Sequence, residues 1–176
     1  GVTVKVISGD NPATVSQIAQ QAGIPGSEQY IDASTLNTPE AIREAALKYT
    51  VFGRVTPQQK KELVAALQKK KHTVAMTGDG VNDLLAMKQA NCAIAMASGA
   101  EAASSLASLV LMDSDFSAMP GVVAEGRRVI NNIQRAASLF LVKNIFSLFL
   151  SVITLFTAWP YPLVPIHLTV ISAMTI

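Results

Sequence analysis

The chain of 176 residues is 50% hydrophobic and only 15% charged, a more apolar balance than that of an ordinary soluble domain. Its formal net charge of +2 and the lack of a basic patch interleaved with aromatic residues argue against a nucleic-acid-binding protein. The single cysteine, Cys92, cannot form an internal disulfide and lies in an apolar run, so we interpret it as a core residue. These features favour part of a membrane protein.

Short apolar runs alternate with helical patterns over residues 1–114. This alternation is typical of a parallel α/β sheet, in which each helix returns the chain to the start of the next strand. The predicted strands lie near residues 3–7, 51–55, 72–76, 92–96 and 108–112, and the predicted helices near residues 12–22, 39–49, 57–70, 82–90 and 100–106.

The first predicted strand ends in residues that suit a phosphate-binding turn. Ser8 offers a hydroxyl, Gly9 an unobstructed amide and Asp10 a carboxylate. Asn11 is placed to cap the following helix, and Pro12 suits its first position. Taken alone, the segment is interpreted as a plain turn. Ligands gather outside the carboxyl ends of strands in open α/β sheets, however, so two such turns can converge on one site.

A lysine lies on the apolar face of the third predicted helix. Thr56, Pro57 and Gln59 form a capping pattern at the start of this helix. Lys60 shares the i, i+3, i+4, i+7 spacing of the aliphatic residues that follow it, which predicts that it points inward. An inward lysine often extends its amine to water. Beside a phosphate site it would instead neutralise phosphoryl oxygens.

The run Thr77-Gly78-Asp79-Gly80-Val81-Asn82-Asp83 follows an apolar strand and precedes a helical pattern. Caps and turns use the same residue types, but the full run in this context favours a ligand site over a cap alone. Magnesium takes oxygen ligands and is usually held by one or two carboxylates together with water and a substrate phosphate. Asp79 and Asp83 fit that number.

A long helical pattern occupies residues 116–159, and its second half is almost wholly apolar. Lys143 is the only charged residue between Leu139 and Trp159. A membrane-spanning helix needs about 20 mostly apolar residues, so this stretch predicts a span rather than a buried soluble helix.

The flanks of the predicted span indicate its orientation. Three arginines precede it, whereas Trp159 and Tyr161 follow it. Cytoplasmic flanks are rich in Lys and Arg and interfaces are rich in aromatic residues, so residues 1–138 are expected to be cytoplasmic. A second apolar segment at residues 166–176 has 11 residues, which as a helix would rise only about 16 Å. We therefore expect residues 163–176 to be the truncated start of a second span.

Polar side chains within a span are costly to bury and often serve a purpose. Hydrogen bonds between helices are an equally good explanation for the serines and threonines. The polar residues in question are Lys143, Asn144, Ser147, Ser151, Ser172 and Thr175.

Three of these motifs, in this order and spacing, closely resemble the phosphorylation domain of P-type cation-transporting ATPases, which have the haloacid dehalogenase-like fold. They are the Ser8-Gly9-Asp10 turn, the segment from Pro57 to Lys60 and the run from Thr77 to Asp83. The stretch from Glu125 to Ile133 is similar to the stalk that leads into the fifth membrane helix of such pumps. The similarity extends over essentially the whole chain and is greatest to bacterial pumps for alkali or alkaline-earth cations.

The resemblance implies a fold, a domain organisation and partners. The fold would be a partial haloacid dehalogenase-like Rossmannoid parallel sheet, followed by a long stalk and transmembrane helix and the start of a second one. Residues 1–114 would be the C-terminal part of the phosphorylation domain, residues 115–138 the stalk and residues 139–159 a span. The protein would be a multi-pass protein of a bacterial plasma membrane. Its partners would be the lipid bilayer, the transported cation and the remainder of the pump, namely the actuator domain, the nucleotide-binding domain and other membrane helices.

The resemblance also implies residue roles, with Mg²⁺ as cofactor and ATP as substrate. Asp79 and Asp83 would bind magnesium, Ser8 and Asn82 would hydrogen-bond the phosphoryl group, and Lys60 would stabilise its charge; Gly9 and Asp10 complete the catalytic set. The family's nucleophile segment, Asp-Lys-Thr-Gly-Thr, and its Thr-Gly-Glu-Ser loop do not occur in these residues. We therefore expect the chain alone to be inactive.

The transported ion is left open by the sequence. The resemblance makes Asn144, Ser147, Ser172 and Thr175 candidates for binding it. Well-known calcium pumps carry acidic residues at the positions of Ser147 and Ile176, which the present chain lacks. Calcium or another divalent ion is the cation that we expect.

Two functions remain open at this stage. The first is an ATP-driven cation pump that couples aspartyl-phosphate formation and hydrolysis to transport, with the long helix carrying movement from the Asp79 site to Asn144. The alternative is a membrane-tethered, magnesium-dependent phosphohydrolase of the same fold that moves no ion. A scaffolding role for a truncated protein is a third, weaker hypothesis.

Overall fold

The computed structural model of the protein describes residues 2–157, 166–167 and 170. The chain divides into two compact units, Gly1–Phe116 and Ser117–Ile176. The described part of the first unit contains six strands and five α-helices, joined by short 3₁₀ turns. They are β1 (Val6–Ile7), α1 (Pro12–Gln21), β2 (Tyr30–Asp32), α2 (Pro39–Lys48), β3 (Val51–Gly53), α3 (Pro57–Lys69), β4 (Ala75–Gly78), α4 (Leu84–Gln89), β5 (Cys92–Met96), α5 (Glu101–Leu106) and β6 (Leu109–Leu111).

The strands form two parallel sheets of three strands each. The order is β1-β3-β2 in the first sheet and β4-β5-β6 in the second. Since β1 and β4 lie at the ends of these orders, each has one edge without a strand partner among the described residues. The predicted parallel α/β architecture is therefore confirmed.

Helix α3 contributes side chains to two apolar cores. Leu63 is buried in one apolar core with Phe52 of β3, and the adjacent Val64 is buried in the other with Met76 of β4 and Met87 of α4. Adjacent residues of a helix point about 100° apart, so neighbouring positions can serve two cores. Packing in both cores holds this helix in place within the first unit, and with it Lys60 near the amino end.

The predicted elements agree with the structure in place and type, with two differences. Strand β2 was not predicted, because its three residues are too few to show a periodic pattern. The strand predicted at 72–76 lies instead at Ala75–Gly78. The first residues predicted for this strand instead belong to the turn that ends helix α3. Lys71 has φ 64°, and the His72 N–H donates to the Leu67 carbonyl at 3.2 Å.

The capping box predicted at the start of α3 is confirmed. The Gln59 N–H donates to the Thr56 hydroxyl oxygen at 3.2 Å, and the Thr56 N–H donates to the Gln59 side-chain oxygen at 3.0 Å. The predicted cap of α1 is also present, because Asn11 accepts from the Ala13 N–H at 3.0 Å.

Replacing Thr56 by alanine is expected to destabilise the first unit by about 1 kcal/mol, since it leaves an N-terminal amide of α3 without its partner. Thermal or urea unfolding of the two proteins measures the loss. Thr73→Ala, in an exposed loop position, is the control and should change stability by less than about 0.5 kcal/mol. Equal losses in both variants would contradict a role of the cap.

The described part of the second unit is dominated by one helix, α6 (Met119–Thr157), of 39 residues. The helical stretch Phe116–Thr157 has an 18-residue window of mean hydropathy 2.1 with none of it buried. By length and composition this is the one helix in the described residues that could cross a membrane. Its 39 residues correspond to about 58 Å, more than the hydrocarbon thickness of a bilayer. The predictions for Trp159, Tyr161 and most of residues 163–176 lie outside the described residues.

Candidate active site

The loop after β1 is held together by short local hydrogen bonds. The Ser8 hydroxyl donates to the Asp10 carboxylate at 3.0 Å, and the Asp10 N–H donates back to the Ser8 hydroxyl oxygen at 3.2 Å. Gly53, at the end of β3, lies against this loop: a Cβ on Gly53 would be 2.4 Å from the Cα of Pro12. Only glycine allows the end of β3 to approach the loop this closely.

The loop after β3 fixes the Ser8–Asp10 loop from the other side, and sequence reasoning missed its arginine. The Arg54 N–H donates to the Asp10 carbonyl at 2.8 Å, and the Val55 N–H donates to the Ser8 carbonyl at 3.0 Å. Arg54 has φ 51°, a left-handed conformation that is uncommon for a residue with a side chain. The sequence feature that could have drawn attention to Arg54 is its position directly after a strand and just before the capping box.

The side chain of Arg54 is paired with an acidic residue from the neighbouring strand. Its guanidinium lies 2.8 Å from the Asp32 carboxylate, and Asp32 also accepts from the Ser34 hydroxyl at 2.6 Å and from the Ser34 N–H at 3.0 Å. The Ser34 hydrogen bonds, followed by the charge of Arg54, lower the pKa of Asp32 from its ordinary value.

This lowered pKa of Asp32 predicts a pH dependence of stability. Because the carboxylate is favoured in the folded state, its contribution is present above the unfolded-state pKa of about 3.9 and is lost as pH falls through the lower folded-state value. Unfolding midpoints of the wild type and Asp32→Asn should therefore differ near neutral pH and converge as the pH falls below the lowered folded-state pKa of Asp32. A constant difference across this range would contradict the assignment.

Lys60 and Asp83 form a buried ion pair. The Lys60 Nζ lies 2.7 Å from the Asp83 Oδ1, and each side chain is only 11% exposed. The inward position predicted for Lys60 from its helical spacing is what the structure shows, but the contact with Asp83 was not predicted. Removing one partner of a buried pair leaves the other without its counter-charge, so the two side chains hold each other in a fixed position.

The segment after β4 contains two carboxylates, one exposed and one buried. Gly78, the last residue of β4, leaves space for Asp83, because a Cβ there would lie 2.5 Å from the Cβ of Asp83 and 3.0 Å from its Oδ2. Asp83 ends a 3₁₀ turn, Val81–Asp83, and is buried. Asp79 and Asn82 are exposed, so both can reach a ligand.

The carboxylates of this segment are chemically suited to magnesium. The usual ligands of this ion are one or two carboxylates of the protein, together with water and a substrate phosphate. Within the described residues, no group of three or more His, Cys, Asp or Glu side chains is arranged to hold a metal. A magnesium ion held by Asp79 and Asp83 would therefore need further ligands, such as water or a phosphate.

The turn between β5 and α5 supports Asp79 and was also missed. The Ala100 N–H donates to the Asp79 carbonyl at 2.7 Å. A Cβ on Gly99 would lie 2.5 Å from that carbonyl oxygen. The sequence shows only a Ser-Gly-Ala turn here, which gives no sign of its contact with a segment 20 residues earlier.

The structure brings some of the predicted catalytic residues together but not all. Lys60 contacts Asp83, and Ser8 contacts Asp10. Within the described residues, no hydrogen bond joins the Ser8–Asp10 loop to the Asp79–Asp83 segment.

The transported-ion candidates are described only in part. Asn144 is exposed and Ser147 half-buried on α6, where the Ser147 carbonyl accepts from the Ser151 hydroxyl at 2.9 Å. The other two candidates, Ser172 and Thr175, lie outside the described residues.

Comparison with known proteins identifies the class of this fold and site. The model of one family, the haloacid dehalogenase-like hydrolases, matches residues 1–91, slightly more than half of the chain. The chain belongs to the haloacid dehalogenase-like hydrolase family.

Its relatives within this class are P-type cation-transporting ATPases, as the sequence motifs predicted. The probable cation-transporting ATPase exp7 of Streptococcus pneumoniae is 47% identical over 179 residues, covering 97% of this chain and 23% of that protein. The calcium-transporting ATPase CtpE of Mycolicibacterium smegmatis is 45% identical over 186 residues, covering 99% of this chain and 23% of that protein. The chain therefore spans less than a quarter of the length of these relatives.

Solved structures also resemble this chain. The crystal structure of a zinc-transporting PIB-type ATPase in the E2.Pi state aligns with 97% of this chain and 24% of its own, with a TM-score of 0.68 and 25% identity. The catalytic domain of the CPx-ATPase CopB-B, at 21% identity and a TM-score of 0.54, aligns with 70% of this chain and shares its fold.

Proposed function

We propose that the chain is part of an ATP-driven P-type cation pump, which couples the formation and hydrolysis of an aspartyl phosphate to ion transport. The observation that carries this proposal is the buried Lys60–Asp83 ion pair beside the exposed Asp79, at the carboxyl end of β4. A fixed ammonium group next to free carboxylate oxygens is suited to phosphoryl chemistry, where charge develops on oxygen. The 45–47% identity to cation-transporting ATPases over nearly the whole chain supports it.

Each residue of the site has a role in this proposal. Asp79 and one oxygen of Asp83 would hold Mg²⁺, which when bound neutralises phosphoryl charge. Lys60 would hold Asp83 in place through their 2.7 Å contact and offer its remaining N–H groups to phosphoryl oxygens. Asn82 is exposed and can donate its amide to the same group. The Ser8–Asp10 loop completes the proposed catalytic set, with the Ser8 hydroxyl and the Gly9 amide.

The nucleophile would come from a segment outside these 176 residues. No Asp-Lys-Thr-Gly-Thr sequence occurs in the chain, so the chain alone is not expected to hydrolyse ATP. Both β1 and β4 have an edge without a strand partner among the described residues. We propose that a parallel strand of the complete protein pairs at these edges and places its aspartate beside Asp79.

The second unit would supply the membrane part of the pump. The apolar length of α6 is sufficient for one span, and we propose that residues 1–138 lie in the cytoplasm of a bacterial cell whose plasma membrane contains the multi-pass protein. Asn144 and Ser147 would contribute to the ion path, since polar groups within a span usually face an ion path or another helix. Calcium is the cation to test first, because several relatives, including CtpE of Mycolicibacterium smegmatis, are calcium-transporting ATPases by name.

A vesicle assay of the complete gene product tests this function. ATP should drive accumulation of one cation from a panel that includes Ca²⁺, and phosphate release should depend on the same cation. Phosphate release that depends on magnesium alone, with no ion accumulated, would identify a membrane-tethered phosphohydrolase instead.

A further inference from the structure

The turn between β5 and α5 contacts the main chain of Asp79 without any intervening side chain. The Ala100 N–H donates to the Asp79 carbonyl at 2.7 Å. A Cβ on Gly99 would lie 2.5 Å from this oxygen, 3.0 Å from the Asp79 Cα and 3.1 Å from its carbonyl carbon. All three atoms belong to the backbone, so no side chain could rotate away to make room.

The same turn is fixed on its opposite side. The Ala97 N–H donates to the Leu111 carbonyl at the end of β6 at 3.0 Å, and the Ser98 N–H donates to the Ser114 hydroxyl at 2.9 Å. The Gly99 N–H donates to the Met96 carbonyl at 3.0 Å. These bonds oppose a retreat of the turn when a side chain is added at Gly99, so we expect the Asp79 segment to move instead.

The two candidate metal ligands are held by different means. Asp83 is fixed through its side chain by Lys60. The Asp79 carboxylate is exposed and makes no hydrogen bond or ion pair within the described residues. The direction of the Asp79 side chain therefore depends on its backbone. This backbone is held on one side by strand β4, which ends at Gly78, and on the other by the contacts with Gly99 and Ala100.

We propose that Gly99 is a positioning residue for the Asp79 carboxylate, setting through direct backbone contact the place from which this carboxylate binds a divalent cation. The inference rests on the proposed metal-binding role of Asp79. It goes beyond that role, because it assigns a function in cation binding to a residue that carries no ligand atom. Groups that orient a metal ligand typically change metal affinity by about 10–100-fold when they are altered.

Mn²⁺ binding to the purified complete gene product in detergent, followed by electron paramagnetic resonance, tests the proposal without any need for turnover. Gly99→Ala should weaken Mn²⁺ binding at least about tenfold. Asp79→Asn gives the reference for loss of the ligand itself.

Gly23→Ala is the matched control. Gly23 has φ 72° and no atom within 4 Å of its Cβ position, so alanine there strains the backbone without a new contact. Gly23→Ala should lower the melting temperature and leave Mn²⁺ affinity unchanged, which separates loss of positioning from general loss of stability.

Ala100→Pro is a second variant in case Gly99→Ala does not fold. Ala100 has φ −65°, a value that proline also adopts. The substitution removes the N–H that bonds the Asp79 carbonyl and places the proline Cδ against that oxygen. It therefore displaces the same segment and should also weaken Mn²⁺ binding.

The outcomes are distinguishable. Wild-type affinity in Gly99→Ala, or in Ala100→Pro should the first variant not fold, would overturn the positioning role and leave the proposed site intact. If the wild type does not bind Mn²⁺, or if Asp79→Asn binds it as tightly as the wild type does, the proposed metal site itself is overturned.

Discussion

Lys60→Met is expected to lower the free energy of unfolding of the first unit by about 3–5 kcal/mol, because it leaves the Asp83 carboxylate buried without its counter-charge. The pair is 2.7 Å apart, and the Asp83 side chain is only 11% exposed, so water cannot replace the lysine. Hydrogen exchange of peptides from α3 and α4, or urea unfolding followed by circular dichroism, measures the loss.

Two further variants make this prediction specific. Lys69→Met, at an exposed position of the same helix, should change stability by less than about 0.5 kcal/mol. The double variant Lys60→Met/Asp83→Leu should recover most of the loss, since a buried ion pair and an apolar pair of similar size are often equally stable. A loss below about 1 kcal/mol in Lys60→Met would mean that the pair is far more hydrated than its burial indicates.

The double variant also separates stability from chemistry. If the ion pair served only to hold α3 against α4, a well-packed apolar pair would serve equally well. Under the proposed function the ion pair has a further role beside the exposed Asp79, because an ammonium group and a carboxylate offer bonds that methionine and leucine cannot. In the complete gene product, the double variant should therefore be stable and should lose the proposed ATP-driven activity.

Local features of this chain were predictable from sequence, and the reason is their short range. The capping box of Thr56 and Gln59 and the cap of Asn11 need only four consecutive residues in a helical context. The inward position of Lys60 follows from helical periodicity alone. The alternation of strands and helices likewise predicts a parallel sheet, although strand β4 begins three residues later than expected.

The contacts that build the site were not predictable, because they join distant segments. Lys60 and Asp83 are 23 residues apart, and Arg54 and Asp32 are 22 apart. Gly99 resembles any turn glycine until its distance to Asp79 is known. The sequence indicated which residue types serve phosphoryl chemistry, whereas their arrangement depends on which strands are neighbours in the sheets.

Asp79→Asn is expected to reduce phosphoenzyme formation and ATP-dependent ion uptake by the complete gene product by a factor on the order of 10²–10³. Asparagine keeps the size of the side chain and one oxygen but removes the charge that would attract a divalent cation. Since the Asp79 carboxylate is exposed and has no partner within the described residues, the stability of the variant should change by less than about 0.5 kcal/mol. Phosphoenzyme trapping and vesicle uptake measure the activity, and thermal unfolding measures the stability.

This combination of a large loss of activity and a small change of stability distinguishes Asp79 from Asp83 and Lys60. Asp113→Asn, at another exposed carboxylate of the same unit, is the control and should retain both activity and stability. Activity in Asp79→Asn within about threefold of the wild type would be too small an effect for the loss of a metal ligand. The cation would then have to be held by Asp83 and by groups of the complete protein, with Asp79 only shaping the turn after β4.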